Sequence, residues 1–236
     1  MLIYGRNPLM ESLKSPFRPS RVYLSGSLRD LNELVALLEK HSIPFEITSR
    51  GRLDQMSGGE KHQGIVAHLE REPLYPLKEN IGDFLKNRTR ILLILDRIQD
   101  PRNLGSIIRT ASLTGTTHII ATRRASAGLT PAVVKASAGA IFHVKLSLSD
   151  SIKHIIESMR EKGIHTMALE RGGIPVEEHA PFHKGVLVVG SEHYGIRQSV
   201  LRSVDAVVSL RQNPSVNSYN VSVATGIALY ILNFIV

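Results

Sequence analysis

ILLILDRIQDPRNLGSIIRTASLTGTTHIIAT (91–122) holds the plan of this chain in outline. It opens on an apolar run that ends at Asp96, the pattern of a strand covered on both faces rather than on alternate residues. Asp100-Pro101 then sets a turn. NLGSIIRTASLTG (103–115) places apolar residues at helical spacing, and THIIAT (117–122) is a second strand. Strand, helix and strand in this order predict a parallel sheet with helices laid over it.

The same alternation continues toward the carboxyl end. TPAVVKASAG (130–139) reads as a helix and FHVKLS (142–147) as a strand. DSIKHIIESMREKG (150–163) reads as a helix capped by Asp150 and closed by Gly163. IHTMALE (164–170) and GVLVVG (185–190) are further strands. NVSVATGIALYILNFIV (220–236) is a final helix, apolar nearly all round and so expected to be buried on more than one face. Toward the amino end, EPLYPLKEN (72–80) places two prolines in a short polar stretch and reads as a linker. Before it lie a helix in NPLMESLKS (7–15), strands in RVYLSG (21–26), PFEITS (44–49) and HQGIVAHLE (62–70), and a helix in DLNELVALLEKHS (30–42). The expected organisation is a small α/β domain over 1–72, a linker over 73–80 and a parallel-sheet α/β domain over 81–236. Such sheets bind ligands beyond the carboxyl ends of their strands.

With 236 residues, 42% of them hydrophobic and 21% charged, the chain has the composition of a globular protein. No apolar run reaches the roughly 18 residues of a membrane span, and the amino terminus has no signal-peptide pattern, so a cytoplasmic location is expected. Absence of cysteine removes any disulfide, thiolate metal site or cysteine nucleophile, and no metal is expected. The net charge of +8 is uneven: residues 1–75 carry ten Lys/Arg against nine Asp/Glu, and residues 76–236 nineteen against twelve. The basic excess therefore lies in the larger domain, where a polyanionic partner and a merely solvated basic surface are both compatible with it.

Neither a G-x-G-x-x-G turn nor a phosphate-binding P-loop follows the first strand of the sheet. DRIQDPRNLGS stands there instead, with Asn103 where it could cap the helix and Gly105 where the backbone can be approached closely. Arg109 follows six residues later and needs its full length to reach the same end of the helix. Two more segments, VVGSEHYGIR (188–197) and SVNSYNVSVATGIALY (215–230), join apolar runs to Glu192, Ser218 and Asn220. Each polar residue has an ordinary alternative: a helix cap for Asn103, Ser218 and Asn220, a surface arginine for Arg109 and a surface salt bridge for Glu192.

DPRNLGSIIRTA, GSEHYG and SYNVSVATGIALY together resemble, in order, the three signature motifs of the SpoU (TrmH-type) RNA 2′-O-ribose methyltransferases of the SPOUT superfamily. The resemblance extends to the amino-terminal part, where IYGRNPLMESL and HQGIVAHLE look like the small RNA-recognition domain of the bacterial branch that methylates a guanosine ribose of large-subunit (23S) rRNA. It implies a catalytic domain with a deep trefoil knot, S-adenosylmethionine as cofactor, RNA as substrate and a homodimer formed through the knot region. The last helix suits either that interface or a core within one subunit. Asn103, Arg109, Glu192, Ser218 and Asn220 match the family's catalytic positions. Gly190 falls where a loop approaches the cofactor, and Leu210 and Tyr219 fall in the loop and motif that enclose it. A tRNA substrate is the nearest variant.

The chain also departs from the family pattern. Leu210-Arg211-Gln212 followed by Pro214 stands where an Ile-Pro-Met and glycine are usual, Tyr219 replaces a leucine, and His193 replaces a glycine. Proline for glycine removes an amide donor, and Arg211 adds charge. A non-catalytic RNA-binding or ribosome-assembly protein with a degenerate cofactor loop is the competing expectation. Arg97, Arg102, Arg123, Arg124 and Lys135, together with Arg109, are expected to bind RNA phosphates. Tyr4, Phe17 and Tyr23 are candidates for stacking on bases.

Overall fold

The computed structural model describes residues 1–179, 183–213, 215 and 218–235. Pro214 and Val236, both part of the sequence expectations above, lie outside the described residues. The chain divides into two compact units: Met1–Pro73 with Leu129–His143, and Leu74–Gly128 with Val144–Val236.

The first unit runs β1 (Leu2–Tyr4), α1 (Arg6–Leu13), β2 (Pro19–Ser25), α2 (Leu31–Lys40), β3 (Phe45–Thr48), α3 (Arg50–Ser57) and β4 (Ile65–Leu69). Its sheet has the order β1-β4-β2-β3, with β4 antiparallel to both neighbours and β3 parallel to β2. Tyr4 and Phe17 are buried, so neither offers a face for a base, whereas Tyr23 is half-buried beside Arg52. The segment 129–143 groups with this unit and not with the larger domain in which the alternation of elements put it. It forms α6 (Pro131–Ala136), later in chain order, and a short 3-10 turn, where Lys135 pairs with Glu60 at 3.3 Å and His143 Nε2 lies 2.6 Å from Glu11.

The second unit begins with α4 (Leu77–Lys86), which starts inside the stretch expected to be linker. β5 (Ile91–Asp96), α5 (Pro101–Leu113), β6 (His118–Thr122), β7 (Lys145–Ser149), α7 (Ile152–Glu161), β8 (His165–Pro175), β9 (Gly185–Gly190), α8 (Gln198–Leu201), β10 (Ala206–Ser209) and α9 (Val221–Phe234) follow. Its strands pair in parallel in the order β10-β8-β9-β5-β6-β7. All six residues of β5 are buried, as its unbroken apolar run requires. Leu92 and Ile94 pack with Val186 and Val188 against Ile152 and Ile156 of α7 and Phe84 of α4. The alternate residues face the opposite side of the sheet, where α9 packs on β5, β9 and α5. The chain builds outward through β5, β6 and β7, then returns to the other side through β8 and β9, so the reversal lies between β5 and β9. At that switch point Asp96 is in register with Gly190.

Several local expectations change. Asp100, not Asn103, caps α5: its carboxylate accepts the Arg102 N–H at 2.8 Å, and Pro101 takes the first helical position. Asp150 does not cap α7, which Ser151 precedes without a side-chain bond; Asp150 instead pairs with Arg123 at 3.4 Å and Arg124 at 3.6 Å. Phe142 and His143 belong to the 3-10 turn, and β7 begins only at Lys145. α9 buries one face, with Ala228, Leu229 and Leu232, while Val223, Ile227, Tyr230 and Phe234 are exposed on another. Among the described residues no helix is long and apolar enough to cross a membrane.

Candidate active site

Three chain segments converge beyond the carboxyl ends of β5 and β9. The loop after β5 delivers Asn103 in the first turn of α5, the loop after β9 delivers Glu192, and Asn220 caps α9. Their side chains form a closed hydrogen-bond network. Asn103 Nδ2 donates to Glu192 at 3.0 Å; Asn220 Nδ2 donates to the other Glu192 oxygen at 3.0 Å and to Asn103 Oδ1 at 3.1 Å. Asn220 Oδ1 in turn accepts the N–H of Ser222 at 2.9 Å and its hydroxyl at 2.6 Å. Asn220 is thus a helix cap and a site residue at once. Glu192 has no ion pair among the described residues, so the salt-bridge reading of it fails. A hollow of about 210 Å³ lined by Ile98, Gln99, Asp100, Asn103, Ser191, Glu192, His193 and Val221 opens on the network.

A larger cleft of about 640 Å³ lies over the ends of β8 and β9. Gly190, Leu210, Ser218 and Tyr219, all expected at a site, line it together with Glu170, Gln212, Tyr194 and Ile196. Its size falls in the ordinary range of small-molecule sites. Ser218 is no helix cap, since α9 begins at Val221 behind Asn220. Gly190 is required by the protein itself: a Cβ there would stand 2.4 Å from the backbone of Gly195 and Ile196, where the loop folds back. The altered stretch after β10 is tied down. Arg211 Nε lies 2.9 Å from Glu177, its Nη2 bonds Glu178, and the Tyr219 hydroxyl donates to the Arg211 carbonyl at 3.3 Å. Arg211 therefore points its charge at two glutamates on the rim.

The arginines separate into different roles. Arg109 is exposed and makes no hydrogen bond or ion pair among the described residues. Six residues advance a helix by about 9 Å and leave the side chain about 120° round from Asn103, so the reach that the sequence required is not made. Arg97 is half-buried with φ +62; its N–H donates to Thr122 at 2.9 Å and its Nη2 to the Gly195 carbonyl at 3.5 Å. It braces the loop after β9 and is not a free phosphate contact. Arg102 is exposed, Arg123 and Arg124 share Asp150, and Lys135 belongs to the first unit.

Sequence reasoning passed over Asp96. It is 0% exposed; its Oδ2 accepts the Arg197 N–H at 3.0 Å and Nε at 3.2 Å, and Oδ1 lies 3.5 Å from Arg97 Nε. A carboxylate closing an otherwise apolar strand was the available signal. Glu170, which accepts the Ile196 N–H at 3.4 Å from inside the cleft, gave none. Among the described residues no group of acidic or histidine side chains is placed to hold a metal.

A model of the SpoU rRNA methylase family matches residues 90–230, the part that holds all three site segments. The chain belongs to the SpoU rRNA methylase family. A second model, for RNA 2′-O-ribose methyltransferase substrate binding, matches residues 2–75, so the SpoU methylase carries both parts. It is 32% identical to a TrmH family tRNA/rRNA methyltransferase of Bacillus subtilis over 97% of this chain and 93% of that one. It is 33% identical to the 23S rRNA (guanosine-2′-O-)-methyltransferase RlmB of Acinetobacter baylyi over 85% of this chain and 82% of that one. The SpoU methyltransferase AviRb of Streptomyces viridochromogenes, solved with AdoMet, superposes with a TM-score of 0.84 at 22% identity, covering 98% of this chain and 88% of that one. An AdoMet-bound rRNA methyltransferase of Sinorhizobium meliloti gives 0.81 at 21%, covering 97% and 85%. At those identities the two structures speak to the fold.

Proposed function

We propose that this SpoU methylase transfers the methyl group of S-adenosylmethionine to a ribose 2′-hydroxyl of RNA, with a guanosine of 23S rRNA as target. The observation that carries the reading is the Asn103–Glu192–Asn220 network beside an open cleft at the sheet's switch point. The guanosine rests on the relative named RlmB, and the name of the Bacillus relative keeps a tRNA substrate as the second reading. The cleft suits the cofactor: Leu210, Ile196 and Tyr219 offer apolar and aromatic surface, and Gln212, Ser218 and Glu170 offer polar groups. When bound, S-adenosylmethionine supplies a sulfonium methyl for in-line displacement.

The protein's own residues align the acceptor. Asn103 and Asn220 hold both Glu192 oxygens, which fixes the carboxylate at the mouth of the hollow where a ribose hydroxyl would enter. Ser218 stands on the cleft side of the same loop. Arg109, exposed and turned away from the Asn103 network, is assigned to an RNA phosphate, because a guanidinium serves better as an electrostatic partner than as a base. Arg102, Arg123 and Arg124 extend the phosphate contacts, so RNA affinity falls as salt is raised.

The same reading includes a homodimer, a deep trefoil knot in the second unit and work in the cytoplasm. Support for the dimer comes from the stripe Val223, Ile227, Tyr230 and Phe234 on α9, with Leu113 of α5 76% exposed. Arg109 lies one turn before Leu113 on the same face of α5. Incubating the protein with labelled S-adenosylmethionine and rRNA or tRNA, then mapping ribose methylation by resistance to alkaline cleavage, tests the activity. Labelled 23S rRNA guanosine is the expected product, and RNA binding without transfer would favour the assembly-protein reading.

A further inference from the structure

Tyr194 is a large aromatic side chain left 70% exposed two residues after Glu192, inside the site and not at a remote surface. Its loop is short and held at both ends. Gly195 N–H donates to the Ser191 carbonyl at 2.8 Å, Gly195 takes φ +62, and the backbone of Gly195 and Ile196 lies against Gly190. The three residues between, Glu192, His193 and Tyr194, are therefore presented together. Glu192 turns to the amides of Asn103 and Asn220, and Tyr194 is turned onto the Arg97 guanidinium, 6.0 Å from the ring centroid. The His193 ring meets Tyr194 nearly edge-on, at 6.5 Å and 77°.

Arg97 is costly to hold where it stands. A non-glycine residue at φ +62 is uncommon, and its guanidinium is drawn inward by a fully buried carboxylate, with Nε 3.5 Å from Asp96. What it supports there is the Gly195 carbonyl and one side of Tyr194, while the tyrosine remains open to solvent. An aromatic ring backed by a cation beside a ribose-binding centre is the arrangement that accepts a nucleobase, which stacks on the ring with a cation–π contribution from arginine. A base joined to the ribose at Glu192, or the next along the strand, is splayed out of any helix and needs such a surface. We propose that Tyr194, seated on Arg97, is the stacking platform for a base of the RNA at the methylated ribose. The assignment rests on the RNA methyltransferase reading and names a substrate-positioning residue for it.

The test compares wild type, Tyr194→Ala and Tyr194→Phe for S-adenosylmethionine affinity by calorimetry, for kcat and KM on the methylated rRNA fragment, and for quenching of 2-aminopurine placed at or beside the target. Expected for Tyr194→Ala is a rise in KM for RNA of about tenfold, loss of the quenching and a change in cofactor affinity smaller than the change in RNA KM, since the ring also borders the cleft, with Tyr194→Phe near wild type. An unchanged RNA KM overturns the proposal. So does a loss of cofactor affinity as large as the rise in RNA KM, which would make the ring a cofactor contact rather than a base platform, or a Phe variant as impaired as Ala, which would make the hydroxyl the active group. A wild type that transfers no methyl would sink the underlying reading alone. Quenching by wild type but not by Tyr194→Ala would still support the platform in that case, and equal quenching by both would overturn it.

Discussion

Two carboxylates stand at the ends of neighbouring parallel strands and are treated in opposite ways. Asp96 ends β5, fully buried, with two arginines and a main-chain N–H around it. Glu192 lies just past the end of β9, exposed, and among the described residues is given only the neutral amides of Asn103 and Asn220. A buried charge must be compensated by a charge, so Asp96 is an anchor whose negative charge is cancelled. Glu192 is oriented without being neutralised and keeps its charge at the hollow. The pairing partner, more than residue type, separates the structural acid from the chemical one.

The most damaging way to break the contrast is Asp96→Ala, which strands Arg97 and Arg197 beside a void. A loss of about 3–5 kcal/mol is expected in urea unfolding, and a midpoint near wild type would show that the burial does not matter. Glu192→Gln keeps size, removes the charge and replaces one of the two acceptor oxygens facing Asn103 and Asn220 with an NH2 donor. Methyl transfer should fall by about 100-fold, with the melting temperature moved by less than about 2 °C. If this variant instead melts early and retains turnover, the two carboxylates have been assigned the wrong way round.

His118 sharpens the same rule, since it is a buried ionisable group with no acid beside it among the described residues. Burial, and then the Lys184 charge, lower its pKa from 6.5 to about 4. The folded state therefore favours the neutral ring, and the unfolded state binds the extra proton first as pH falls. Stability from this source is complete above about 6.5 and is lost as pH falls through the window down to about 4. Unfolding measured across that range should show the slope in wild type and a flatter one in His118→Gln. The smallest effect is expected for Arg211→Ala, because the pairs with Glu177 and Glu178 are exposed: stability should change by less than about 1 kcal/mol. Cofactor affinity should drop by about fivefold at most, and a complete loss would mean that the rim clasp is essential to the cleft.

Much of this was legible in the chain. Continuous apolar strands and amphipathic helices are local patterns, so 91–96, 117–122 and 185–190 were read close to β5, β6 and β9. Asn103, Glu192 and Asn220 could be named from their motifs, although not their mutual bonds, because residues 89 and 117 positions apart meet only through the sheet order. The grouping of residues 129–143 with the first unit was not visible in the sequence, because a helix period reports which face is apolar and not what covers it. Asp100 took the cap from Asn103 because α5 begins three residues earlier, with Pro101 in its first position, and the apolar spacing from Asn103 onward does not show that extra turn. The sequence left α9 open between a core within one subunit and an interface, because hydropathy alone does not distinguish a core from a face left for a partner; within the single chain one face is buried and another exposed.

The double duty of Asn220 has a further consequence. Its Oδ1 holds the Ser222 N–H while its Nδ2 holds Asn103 and Glu192, so turning the amide over would break every one of these bonds together. The backbone proton of Ser222 is thereby made a reporter of the site. Its exchange with deuterated solvent should quicken whenever Glu192 or Asn103 is altered, which allows the state of the network to be followed with no RNA, no cofactor and no turnover in the sample.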